Sequence, residues 1–205
     1  MANPLEVLVL ESEPGAAEEA VYDLERAGHQ VHRCHEPGKP AFPCRAFDEA
    51  GCPLEAGTVD VALTVRARSR SVPSSFEDGV SCALQHRIPL VVAGRVVLNP
   101  YDEFAAEVVN GTDGIVAAVE AAATGSLREH ELLALDAARR VLASGGAASD
   151  ATVGATARRH HGVVTVGIRV AAEIDPRTRD MIGTRALGAL RRFDRHARQI
   201  DVAVD

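Results

Sequence analysis

Residues 6–10 run Glu6-Val7-Leu8-Val9-Leu10, followed by Glu11 and Pro14-Gly15. A continuous apolar run of Val and Leu, bounded by acidic and Pro-Gly signals, is the pattern of a strand buried on both faces. Ala17, Ala20, Val21, Leu24 and Ala27 then recur at helical spacing until Gly28 stops them, which predicts a helix over 16–27. The alternation Gln30-Val31-His32 supplies a second strand, so the opening is β-α-β. The same grammar returns downstream. Strands are expected at Val59–Val65, Ile88–Ala93 and Glu107–Asn110. Helices are expected at Ser74–Gln85, opened by a Ser74/Glu77 capping box, at Tyr101–Ala105 and at Thr112–Thr124. Strands alternating with helices imply an α/β fold, a five-stranded doubly wound parallel sheet covered on both faces.

Composition narrows the function classes. The chain has 205 residues, 22 Lys plus Arg against 29 Asp plus Glu, and a formal charge of −7. No run approaches the roughly 18 apolar residues of a membrane helix, and Glu6 and Glu11 bracket the first apolar stretch, so the expectation is a cytoplasmic protein with no membrane partner. Aromatics are 3% with no Trp, which leaves few residues for base stacking and argues against nucleic acid as a partner. Charge is uneven: residues 1–149 hold 12 basic and 22 acidic side chains, residues 150–205 hold 10 and 7. Such asymmetry fits two solvated surfaces of opposite sign better than a dense basic patch.

A second consecutive helix, Leu127 to Ser144, opens on a Ser126/Glu129 capping box and carries Leu127, Leu132, Leu135, Ala138 and Leu142. Its apolar face has no partner within a finished five-stranded domain, which marks a connector or a dimerisation helix. Gly145-Gly146 follows as a linker. The remaining text reads strand (Val163–Ala171), helix (Pro176–Arg198, with Ile182, Ala186, Ala189, Leu190, Phe193 and Ala197 in one stripe) and strand (Ile200–Val204). The expected organisation is a first domain over 1–125 with a Cys-containing insertion at 34–57, a connecting helix and Gly linker over 126–149, and a small strand-helix-strand module, α+β in class, over 150–205.

With those elements placed, Val7 to Pro14 (VLVLESEP) resembles the first strand and acidic loop of response-regulator receiver domains. Val59–Val65 (VDVALTV) is similar to their third strand and Ile88–Val92 to their fourth. The resemblance covers about residues 5 to 125 and implies a flavodoxin-like sheet. It also implies a phosphoacceptor Asp after the third strand, an acidic pair for Mg²⁺ after the first, a hydroxyl after the fourth and a Lys after the fifth. In this chain those positions hold Val65, Glu11-Ser12, Gly94, and Asn110 or Gly111. Without a carboxylate at 65 no acyl-phosphate forms, and without two carboxylates the metal lacks its oxygen cage. The resemblance therefore implies a pseudo-receiver. Val164–Val170 (VTVGIRV) and Ile200–Asp205 (IDVAVD) resemble the alkaline-shock-protein-like family, which implies no catalytic residue.

Two groups of side chains carry chemistry. Cys34, Cys44 and Cys52, with His35 beside the first, lie in one Pro- and Gly-rich stretch that stands where a receiver has its second helix, and Cys82 lies on the following helix. Four converging thiols, with His35 as an alternative ligand, suit Zn²⁺ or an iron–sulfur cluster because thiolate is the soft ligand both prefer. The other readings are a Cys44–Cys52 disulfide or redox switch and unbridged thiols. The second group is Arg66, Arg68 and Arg70 with Ser74 and Ser75. Alternate residues of an extended chain share a face, so three guanidiniums at the C-terminal sheet edge, ahead of a helix, suit a small anionic ligand. The alternative is a solvated loop that neutralises the acidic domain. Tyr101 and Asp102 occupy the same edge, and His160-His161 is expected as an exposed pair in a loop.

No P-loop, Gly-x-Gly-x-x-Gly, Gly-x-Ser-x-Gly or His-Glu-x-x-His motif is present. The expected function is non-catalytic: a regulatory or interaction protein, built on a receiver domain that cannot be phosphorylated, whose partner is another protein or a second copy of itself. The alternatives are a metal- or redox-responsive protein and a binder of an anionic metabolite.

Overall fold

The computed structural model describes residues 4–36, 38–42, 44, 46, 51–125, 127–145 and 151–205. The opening apolar run forms β1 (Glu6–Glu11), with Val7 to Leu10 all buried. After α1 (Glu18–Arg26) the chain adds β2 (Gln30–Arg33), and β3 (Val61–Arg66) and β4 (Leu90–Gly94) follow, every residue of both buried. With β5 (Ala105–Asn110) they make a five-stranded, all-parallel sheet in the order β2-β1-β3-β4-β5, a flavodoxin-like α/β fold.

Strand alternation explains why both faces are apolar. Val7 and Val9 join Leu63, Val91, Leu24 of α1, and Ile115 and Val119 of α3 (Ile115–Thr124) in one core cluster. Leu8 and Leu10 join Ala62, Leu90, Val92 and α2 (Gly79–Gln85) in another. Neighbours in sequence thus serve opposite cores, each fully buried side chain contributing about 1.5–3 kcal/mol.

Two helix expectations change in this unit. The helix expected from Ser74 is a 3-10 turn at Ser75–Glu77 followed by α2 proper. Tyr101–Ala105 is not helical: the Asn99 side chain accepts the Tyr101 N–H (3.0 Å) and donates to Asp102 (2.7 Å), which closes a turn, and β5 begins at Ala105. The β4-to-β5 crossover therefore carries no helix, and β5 is a largely exposed edge strand.

Residues 126–205 form the second compact unit, 1–125 being the first. Here α4 (Arg128–Gly145) precedes a three-stranded sheet, β6 (Val153–His160), β7 (Val163–Val170) and β8 (Gln199–Val204), with α5 (Pro176–Phe193) between β7 and β8. The apolar face of α4 finds its partners inside this unit: Ala134, Ala138, Val141 and Leu142 share a core with Val164, Val166, Ile168, Ile182, Ala186 and Leu190. Residue Gly146 of the linker and Ser126 of the capping box lie outside the described residues.

The added strand is β6, and it moves His160 from a loop to a strand end. It pairs antiparallel with β7 through a hairpin at His161-Gly162, both at positive φ (46° and 71°), the geometry of a two-residue primed turn. Helix α5 begins at Pro176 behind an Asp175 cap, whose carboxylate accepts the Thr178 N–H (3.1 Å), and stops at Phe193 rather than Arg198, with Asp194 as its C-cap. Among the described residues no helix is long and apolar enough to cross a membrane.

Candidate functional site

In an open parallel sheet the carboxyl ends of the strands are the ligand edge, at the point where strand order reverses. Here that point lies between β1 and β3. Glu11 ends β1, and its carboxylate accepts the Ala17 N–H at 3.2 Å ahead of α1. Ser12 donates its N–H to Val65 O (2.9 Å) and its hydroxyl accepts the Ala67 N–H (2.9 Å), stitching the two loops together. Val65 is buried.

At the end of β4, Gly94 has φ +93°, and a Cβ built there would stand 2.3 Å from Arg66 O. Gly94 and Gly111 exchange both backbone hydrogen bonds at 2.9 Å, an isolated antiparallel bridge that closes the edge between β4 and β5. A hydroxyl-bearing residue has no room at position 94.

The arginines part company. Arg66 is buried, its Nε 3.1 Å from Glu77 Oε1, and its Nη1 donates to Arg70 O (2.8 Å) and Leu98 O (3.1 Å). Glu77 is buried as well; it accepts the Thr64 hydroxyl (3.3 Å) and the Ser74 N–H (2.9 Å). Arg68 and Arg70 stay exposed and both approach Glu13 Oε1, at 3.0 and 3.5 Å. Arg66 thus parts from Arg68 and Arg70, which meet at Glu13, because β3 ends at Arg66 and the chain bends just after it. Ser74 and Ser75 open the 3-10 turn that presents Glu77. Tyr101 lies under Arg66, whose guanidinium carbon is 5.9 Å from the ring centroid. Burial, then the charge of Glu77, pushes the Tyr101 hydroxyl above the ordinary phenol range, Asp78 adding to this and Arg66 opposing it. Asp102 is held by Asn99 in the turn.

The cysteines lie about α2, which carries Cys82 itself. All four are free thiols, Cys34, Cys44 and Cys52 partly buried and Cys82 exposed. Cys34 follows β2 and lies against the start of α2: a Cβ on Gly79 would sit 2.7 Å from its sulfur. Cys34 and Cys52 pack against the same core cluster. Burial raises the Cys82 thiol above its ordinary value, with further contributions from the charges of Cys52, Cys44 and Asp78. His35 packs edge-on to Phe76 (5.9 Å), and its Nε2 is buried without a hydrogen-bond partner. Burial lowers the His35 pKa, against the opposing charges of Asp78 and Glu11. Among the described residues of this unit, no three side chains bring metal-ligating atoms within 4.8 Å of one another.

The second unit contains a buried polar centre that sequence reasoning did not anticipate. Asp194 Oδ2 accepts from His130 Nε2 (2.9 Å) and from Arg159 Nη2 (2.5 Å), and Oδ1 accepts the Ala197 N–H (3.0 Å). All three side chains are buried. Burial alone would raise the Asp194 pKa; the His130 hydrogen bond and the Arg159 charge, with the Ala197 amide, outweigh it and hold the carboxyl below its usual range. The signal in the sequence was Asp194 itself, a helix-ending Asp after the Arg191-Arg192-Phe193 turn. Its partners come from α4 and β6, more than 30 residues away, where no local pattern points to them.

No family model matches the chain, and a search of curated proteins finds no match.

Proposed function

We propose that this chain is a non-catalytic regulatory or interaction protein, its first unit a receiver-like scaffold that works without phosphorylation. The observation that carries the reading is the closed edge at Gly94: positive φ, a Cβ that would strike Arg66 O at 2.3 Å, and the bridge to Gly111. The receiver resemblance puts a hydroxyl at position 94 and a Lys at 110 or 111, and here Gly94 is hydrogen-bonded backbone to backbone with Gly111. The residues do not fit Mg²⁺ either. Glu11 is turned to the Ala17 amide, Ser12 is neutral and position 65 is a buried Val.

Surfaces remain as the means of action. Where a doubly wound fold has its fourth crossover helix, this chain exposes Val97, Leu98 and Phe104, and Val108 on the adjacent edge strand. Apolar side chains on an edge strand and its bare crossover support a protein partner, a second copy of the chain included. The test is intact-mass analysis after incubation with acetyl phosphate and Mg²⁺. The expected result is an unchanged mass; a stable phosphoryl adduct on a carboxylate overturns the proposal.

A second reading rests on the thiols. The charges of Cys52 and Cys44 disfavour the Cys82 thiolate, and His35, next to Cys34, holds a buried ring nitrogen with no hydrogen-bond partner. Thiolate and imidazole are the donors that Zn²⁺ or an iron–sulfur cluster prefers, although among the described residues no three of these ligand atoms lie within 4.8 Å of one another. Elemental analysis of anaerobically purified protein decides it: stoichiometric zinc or iron supports the reading, and a colourless, metal-free protein removes it.

A further inference from the structure

The second unit carries a groove between α4 and α5 that the reading above does not use. It encloses about 590 Å³. Its floor is apolar, Leu133, Ala137 and Val141 from α4 with Ala189 and Phe193 from α5, and Met181, 40% exposed, also lines it. The inward stripe of α5, Ile182, Ala186 and Leu190, is spent on the unit's own core. Met181, Arg185, Ala189 and Arg192 recur at i, i+4, i+8 and i+11 and so form a separate stripe that faces the groove.

Charge sets the groove's preference. Arg140, Arg185 and Arg192 line it against a single carboxylate, Asp136, and Arg140 Nε already holds that carboxylate at 2.9 Å along its own helix. Among the described residues no carboxylate pairs with Arg185 or Arg192. Two guanidiniums over an apolar floor attract acidic groups attached to an apolar face.

We propose that this groove receives an acidic amphipathic helix of a protein partner, its apolar stripe on the floor and its carboxylates on Arg185 and Arg192. An extended peptide fits less well, since its backbone N–H and C=O groups would lie unpaired on apolar side chains, whereas a helix satisfies its own. The flanking helices, 18 residues each, offer about 27 Å of length, enough for five turns of a third helix. The inference stands on the second unit alone and holds whether or not the first is a receiver.

The probe is a fluorescent three-heptad peptide with Leu on one face and Glu on the other, titrated by anisotropy into the full chain, beside a twin with Lys for Glu. The Glu peptide is expected to bind saturably, at least about tenfold tighter than the Lys peptide, and to weaken with added salt. Arg185→Glu with Arg192→Glu should invert the preference. Arg185→Gln with Arg192→Gln removes the charge with little change in bulk, and Ala189→Trp fills the floor; each should lower affinity at least tenfold with the circular dichroism spectrum unchanged. Equal binding of the two peptides, binding undiminished in the folded Gln variant, or oleate binding in place of the Glu peptide overturns the proposal.

Discussion

Each unit buries one arginine against one carboxylate, and the two centres have opposite polarity. In the first, the cation is the hub: Arg66 reaches Glu77 and the carbonyls of Arg70 and Leu98, tying β3 to its own loop and to the β4–β5 crossover. In the second, the anion is the hub: Asp194 collects His130, Arg159 and the Ala197 amide, tying the end of α5 to α4 and β6. The second hub is a carboxylate with a depressed pKa, and its contribution depends on being ionised.

The largest expected effects come from removing either hub. Asp194→Ala leaves Arg159 and His130 buried without their acceptor and should cost about 3–5 kcal/mol, read by denaturant unfolding. Arg66→Met should cost as much, because the buried Glu77 then keeps only the Thr64 and Ser74 hydrogen bonds and has no counter-ion. Adding Glu77→Leu to Arg66→Met should recover most of the loss, since replacing both members of a buried pair by apolar groups is often neutral. A double variant no better than the single would show that the carbonyl contacts of Arg66, not the ion pair, carry the centre.

Next in size is Gly94→Ala. The positive φ and the contact with Arg66 O should destabilise the first unit by about 1–3 kcal/mol. A cost near zero would mean that the Gly94–Gly111 bridge opens freely.

The pH response follows from the sign of the Asp194 shift. Its folded pKa lies below the unfolded value, so the stabilisation is complete above the ordinary Asp pKa, near 4, and is lost as pH falls through the lower folded value. Acid titration of unfolding, followed by a probe in the second unit, should show this loss, and Asp194→Asn should abolish that part of the pH dependence. Smallest is Val97→Ser with Phe104→Ser: exposed as they are, their loss should change stability by no more than about 0.5 kcal/mol. A larger effect would make that apolar patch part of the fold rather than an open surface.

The same contrast explains what the sequence makes legible. β1, β3 and β4 are buried on both faces, so Val7–Leu10, Val61–Leu63 and Leu90–Ala93 stand out as uninterrupted apolar runs. β6 does not. Buried on one face and edged by Arg158, Arg159 and His160, it reads as a polar loop until β7 is beside it. The Ser74/Glu77 capping spacing is visible, but that Glu77 also neutralises a buried Arg depends on the chain turning inward at Arg66. Alternation along an extended chain predicts one face for Arg66, Arg68 and Arg70; the strand ends at Arg66, and the rule ends with it. That positions 65 and 94 carry neither a carboxylate nor a hydroxyl was plain from residue type, whereas the Gly94–Gly111 bridge needed the fold.

The central claim is that the ligand edge of the first unit is closed to phosphoryl chemistry. Its most direct measurement is a ¹⁵N–¹H correlation spectrum of the full chain titrated with Mg²⁺ and beryllofluoride, a mimic of a carboxyl-bound phosphoryl group. The amides of Gly94, Gly111, Ser12 and Ala67 are expected to stay in place; saturable shifts confined to those four would contradict the account.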